Sequence, residues 1–197
     1  MASPKLKKFL SDYSETAKIF TNAVSNAFSN KTVRLYYFYS DNDSEARCFH
    51  FYPNRAGMPE VVLCVRENQA PLDEFICVLF ETLNSKNESE FWKLFQDASL
   101  GNISREQYAK EILQHEFEAT KNTRAILLTL KFEKKETGES HYYREFAECP
   151  TNFDDFLTYS KKLSQDRDVL KEYELQYGSL RKMYIDSNSS SNSPAKN

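Results

Sequence analysis

The stretch "ILQHEFEATKNTR", Ile112–Arg124, gathers His115, Glu116, Glu118, Lys121 and Arg124 into a little over three turns of a helix. An imidazole and carboxylates three and four residues apart can share a metal ion, and a carboxylate held away from water can act as a general base. Which chemistry is open depends on the direction each side chain takes. At about 100° per residue, Ala109, Ile112, Leu113, Thr120, Thr123 and Leu127 fall on one side of the helix, with Glu116 in its middle. His115 aligns instead with Glu111, Glu118 and Asn122 on the opposite, polar stripe, which is expected to face water.

The metal readings of this stretch are incomplete. Di-iron bundles use a Glu-x-x-His order pointing inward, whereas the order here is His-x-x-Glu on the polar stripe. The His115–Glu116 pair is not a zinc-protease motif, because the residue four after His115 is Ala119. Glu116 is the odd residue: a carboxylate on an apolar face must be paired, protonated or close to water. A structural ion pair with Arg124 is the expected arrangement, with Arg66 as another candidate cation. A carboxylate lining an internal cleft is the functional alternative. Glu81 falls on the outer face of its helix, beside Glu74 and Cys77. Only a covering helix would let Glu81, Cys77 and Glu116 meet as a metal constellation. No metal and no cofactor are expected.

Other chemistry is thin. The four cysteines, Cys48, Cys64, Cys77 and Cys149, contain no C-x-x-C spacing. A Cys149–His141 dyad is conceivable only because both flank one predicted strand, and no G-x-S-x-G elbow occurs. Four glycines in 197 residues argue against phosphate-binding loops. A net charge of −3 disfavours nucleic acid, which recruits basic surfaces. Aromatic residues are abundant, 15 Phe and 12 Tyr. On two predicted strands Tyr37, Tyr39 and Tyr52 share a flank that could bind a partner, or stack on bases if the charge allowed it.

The elements that must position these residues follow from periodicity. Apolar residues at steps of three and four predict one N-terminal helix over 3–29, introduced by Ser3-Pro4. Aromatic and β-branched runs at 32–40, 46–53 and 60–67, separated by turn formers, predict an antiparallel β-meander over 32–67 with the third strand central. A helical block spans 71–130, including a long helix opened by Ser104-x-x-Gln107, which has the form of a capping box. Residues 141–185 predict a short strand and two amphipathic helices, and 186–197 a disordered polar tail.

The sequence therefore predicts a single α+β domain over 1–185, a small antiparallel three- to four-stranded sheet covered by amphipathic helices. It has no secretory signal pattern and no run approaching the roughly 18 apolar residues of a spanning helix, so a cytoplasmic setting without membrane contact is expected. The expected role is a non-catalytic protein-binding or regulatory module, with an unidentified partner or self-association. The alternative is a metal-dependent hydrolase, or a degenerate zincin-like scaffold, with Glu116 at a cleft.

Overall fold

The computed structural model describes residues 3–28, 32–38, 46–51, 60–66, 69–163 and 168–191, with backbone alone for 32–38, 46–51, 60, 163 and 187–191. The chain forms two compact units, each assembled from two stretches of sequence: Met1–Lys86 with Ala119–Cys149, and Asn87–Glu118 with Pro150–Asn197.

In the first unit, helices α1 (Pro4–Asp12) and α2 (Ser14–Ala27) precede strands β1 (Thr32–Phe38), β2 (Ala46–Phe51) and β3 (Glu60–Arg66). Helix α3 (Pro71–Asn84) follows. The unit is completed by the C-terminal part of α5 (Arg105–Thr129), α6 (Lys134–Glu139) and α7 (His141–Glu148). The strand order is β1-β3-β2. Val61, Leu63 and Val65 of β3 are buried while Val62, Cys64 and Arg66 are partly exposed, the alternation of a strand with one face on a core. That core also takes Leu6 and Phe9 of α1, Phe75, Ile76 and Leu79 of α3, and Leu127 of α5. Phe75 is its ring hub, 5.9 Å from Phe9, 5.6 Å from Phe20 and 6.2 Å from Phe132 between centroids. Truncating a ring so fully buried to alanine costs about 3–5 kcal/mol.

Helix α3 also holds the ends of two other helices. Ser3 caps α1 by accepting the Leu6 N–H at 2.9 Å, and its hydroxyl donates to Glu74 Oε2 at 2.7 Å. Ser140 caps α7 in the same way, accepting the Tyr143 N–H at 2.9 Å and donating to Asp73. Asp73 accepts the Tyr142 N–H as well, at 3.1 Å. Two buried carboxylates in the first turn of α3 thus support both caps, Glu74 by accepting the capping hydroxyl of Ser3 and Asp73 by accepting the capping hydroxyl of Ser140 and a backbone N–H of α7.

The second unit contains α4 (Glu88–Leu100), the N-terminal part of α5, α8 (Phe153–Leu163) and α9 (Val169–Ser191). Leu94, Ala98, Tyr108 and Ile112 form its core, joined by Tyr173, Tyr177 and Leu180 of α9. On another side of α5, Phe117 packs against Phe153 and Phe156 of α8 at 5.7 and 5.1 Å.

Several expectations are corrected. The α+β domain built on an antiparallel sheet is replaced by a mostly helical chain. Among the described residues the strands lie within 32–66, and β1 pairs with β3 in parallel while β2 pairs with it antiparallel, so these three strands do not form a meander. Strand composition signalled strands but not their partners, and local turn residues carried no information on the β1–β3 pairing. The predicted N-terminal helix is broken at Tyr13, where φ is −123° and ψ 80°. There the ring packs on Phe9 and Phe132 and the hydroxyl donates to Glu136. The short strand expected from residue 141 is instead helix α7, and a second short helix, α6, precedes it. One is started by a Glu133/Glu136 capping box, the other by the Ser140 cap that Asp73 supports from 67 residues away. Helix α9 runs on to Ser191, past the expected start of the tail.

A candidate site at the tyrosine seam of the second unit

Glu116 sits on α5 at the edge of a seam that α9 builds with evenly spaced side chains. In "EYELQYGSLR", Tyr173, Gln176, Tyr177, Leu180 and Arg181 recur at helical spacing and face one way. The Tyr173 hydroxyl donates to Glu116 Oε1. The Tyr108 hydroxyl, on a residue with no exposed surface, donates to Gln176 Oε1 at 2.8 Å. Tyr177 donates to the Ile103 carbonyl at 2.9 Å, and its ring lies 5.9 Å from that of Tyr108. Arg181 Nη1 donates to the Ser99 carbonyl at 2.6 Å, placing a cation at the C-terminus of α4, where the helix dipole favours one.

These contacts set the electrostatics. Burial pushes the Glu116 carboxyl up from 4.5 to about 7, with the Tyr173 hydrogen bond opposing. Burial also raises the Tyr173 phenol, and the charge and hydrogen bond of Glu116 raise it further. Burial alone raises Tyr108. A carboxyl titrating near neutrality beside a phenol donor can give or take a proton in the physiological range.

A separate, partly open cavity of about 420 Å³ lies in the same unit, lined by Leu113, Leu157, Thr158, Ser160, Lys161, Asp168, Val169 and Leu170. Its floor is mostly apolar and its polar groups come from α8 and the start of α9. Asp168 is already engaged, accepting the Lys171 N–H at 3.2 Å. Glu116 is not among the lining residues.

The other sequence-predicted residues lie elsewhere. Arg124 belongs to the first unit, where its Nε donates to the Ala147 carbonyl at 3.0 Å and its charge acts on Cys149. Glu116 belongs to the second. Tyr37 is on β1, where the backbone alone is described, and Tyr39 and Tyr52 lie outside the described residues. Glu81, expected on an outer face, is buried, as is Cys77, whose thiol lies 3.5 Å from Gln69 Oε1. His115, expected to face water, is half-buried, its ring edge-on to Phe91 at 5.4 Å. The cause is that α5 is covered on several sides, by α4 and α9 as well as α8. Among the described residues, no three His, Cys, Asp or Glu side chains are grouped to hold a metal ion.

The seam residues Tyr173, Tyr108 and Gln176 were missed from sequence. The Tyr173–Tyr177 spacing was the available signal, but it reads only as amphipathicity until the facing helix is known. Compared with family models, curated proteins and solved structures, this chain matches none. Among the described residues, no helix is long and apolar enough to cross a membrane.

Proposed function

We propose that this protein acts by binding another protein, in a cytoplasmic setting, through apolar side chains that α4 and α9 leave uncovered on the second unit. The observation that carries the reading is the exposure of Trp92, Leu175 and Met183, each with more than three-fifths of its surface open to solvent (63%, 65% and 66%). Leu175 and Met183 lie eight residues apart on the same side of α9, and tryptophan is among the residues that dominate binding energy at interfaces. The partner is another protein or a second copy of this chain. The test compares wild type with Trp92→Ser and with Leu175→Ser/Met183→Ser by light scattering and by quantitative recovery of bound proteins. Variants that keep their helical circular dichroism and lose the wild-type complex support the reading. Variants that keep the same complex at the same strength refute it.

A second reading gives Glu116 a chemical role, as general base or ligand in a metal-dependent hydrolase or degenerate zincin-like scaffold. It is favoured by the carboxyl raised to about 7. Elemental analysis of the purified protein, together with Glu116→Gln, separates the two. Stoichiometric metal lost in the variant supports a ligand role, and metal-free protein with unchanged binding rejects it.

A further inference from the structure

The outward side of α9 carries a pattern that its own fold does not use. Tyr173, Tyr177, Leu180 and Arg181 turn toward α4 and α5. On the opposite side Lys171, Leu175, Gly178, Lys182 and Asp186 follow one another at steps of three and four, and all five are exposed. Gly178 stands in the middle of that row. A Cβ there would meet nothing within 4 Å, so packing inside the chain gives no reason for a residue that weakens a helix interior about fivefold relative to alanine. The charges are ordered about the same residue. Lys171 lies seven residues before Gly178 and Asp186 eight after it, while the partly exposed Glu174 lies four before and Lys182 four after.

We propose that α9 is a self-association helix, through which two copies of this chain pair antiparallel and cross at Gly178. A second α9 laid that way sets its Asp186 against Lys171 and its Lys182 against Glu174, and the two-fold symmetry makes each pair twice. A parallel copy would put like charges level and repel. The two glycines let the helices approach closely at the crossing. Leu175 of each copy then lies over the gap left by the other's missing side chain, covered by the aliphatic stem of Lys182. The inference rests on the protein-binding reading and names its partner. One pair of helices buries less than the roughly 1,600 Å² of a standard interface, so the dimer is reversible, and its exposed charges make it sensitive to salt.

Sedimentation equilibrium of the full chain, from micromolar to near-millimolar concentration and at low and high salt, tests the pairing. Wild type is expected to pass from monomer to dimer, and to associate less in high salt. Lys171→Glu alone and Asp186→Lys alone each bring like charges together and should weaken the dimer by about tenfold, whereas an equimolar mixture of the two should pair again. Both reversals suit the dipole of α9, so neither threatens the helix itself. Gly178→Gln, a better helix former too bulky for the crossing, should raise the thermal stability of the dilute monomer and weaken the dimer. A mixture that associates no better than either charge variant, or a dimer indifferent to Gly178→Gln, overturns the proposal. A monomeric wild type that still recovers another protein, lost in Leu175→Ser/Met183→Ser, overturns the self-pairing and leaves the protein-binding reading standing. A monomer that recovers none overturns both.

Discussion

Replacing Gly101 with alanine tests how α4 is ended. Gly101 caps α4 with φ of 78°, in the left-handed region where a side chain costs about 1–2 kcal/mol. A Cβ built there would lie 2.9 Å from Arg181 Cζ and 3.0 Å from Arg181 Nη1. Arg181 can swing its flexible end away, but doing so gives up the 2.6 Å bond to the Ser99 carbonyl, and a charged hydrogen bond of this kind contributes about 1.5–3 kcal/mol. This one is only partly buried, so the lower end applies. Gly101→Ala in wild type should therefore cost about 3 kcal/mol, the sum of strain and lost bond. In an Arg181→Ala background the bond is already gone and the guanidinium no longer obstructs, so the same substitution should cost only the strain, about 1–2 kcal/mol. The coupling of about 1–2 kcal/mol is the quantity to measure, by urea denaturation of the four proteins followed by far-ultraviolet circular dichroism. Additivity within about 0.5 kcal/mol would show that the guanidinium does not sit against Gly101, and would refute the reasoning.

Other outcomes follow from the same structure. Asp73→Ala should destabilise the first unit by about 2–3 kcal/mol, because the Ser140 hydroxyl and the Tyr142 N–H lose their buried acceptor. Asp73→Asn, which keeps one acceptor oxygen, should cost less, and equal thermal shifts for the two would argue against the cap. Tyr13 is pushed up to about 12 by burial, then by its bond to Glu136, so its contribution is intact below 10 and lost as pH rises through 12. Tyr13→Phe should remove one late-titrating phenolate from the ultraviolet titration. The Cys149 thiol, 2% exposed and raised by burial to about 11, should react with a thiol reagent only at the rate of local opening, and faster modification in Cys149-containing peptides than in unfolded protein would contradict its placement.

The legible parts of this molecule were those encoded locally. The long helix opens at Ser104, whose hydroxyl accepts the Gln107 N–H at 3.1 Å as its sequence position predicts, and it ends at Thr129, one residue from the periodicity limit. Glu116 was singled out because a carboxylate interrupted an apolar face, and it is half-buried there, accepting the Tyr173 hydroxyl. What stayed hidden was long-range. Asp73 and Glu74 read locally as acidic residues suited to the dipole of their own helix, yet they hold α7 and α1. His115 read as solvated because the wheel of α5 shows a polar stripe, but a helix covered from several directions buries part of that stripe too. Parallel pairing of β1 with β3 left no mark in either strand alone.

The interleaved order of the two units has a consequence for the nascent chain. Residues 1–86 are synthesised before Leu127 and Leu130, which pack in their core, and the intervening stretch Asn87–Glu118 belongs to a unit that also needs residues from Pro150 onward. No single uninterrupted fragment comprises either unit and nothing else, so truncation libraries and limited proteolysis should yield complete chain or aggregation-prone pieces rather than a minimal folding core.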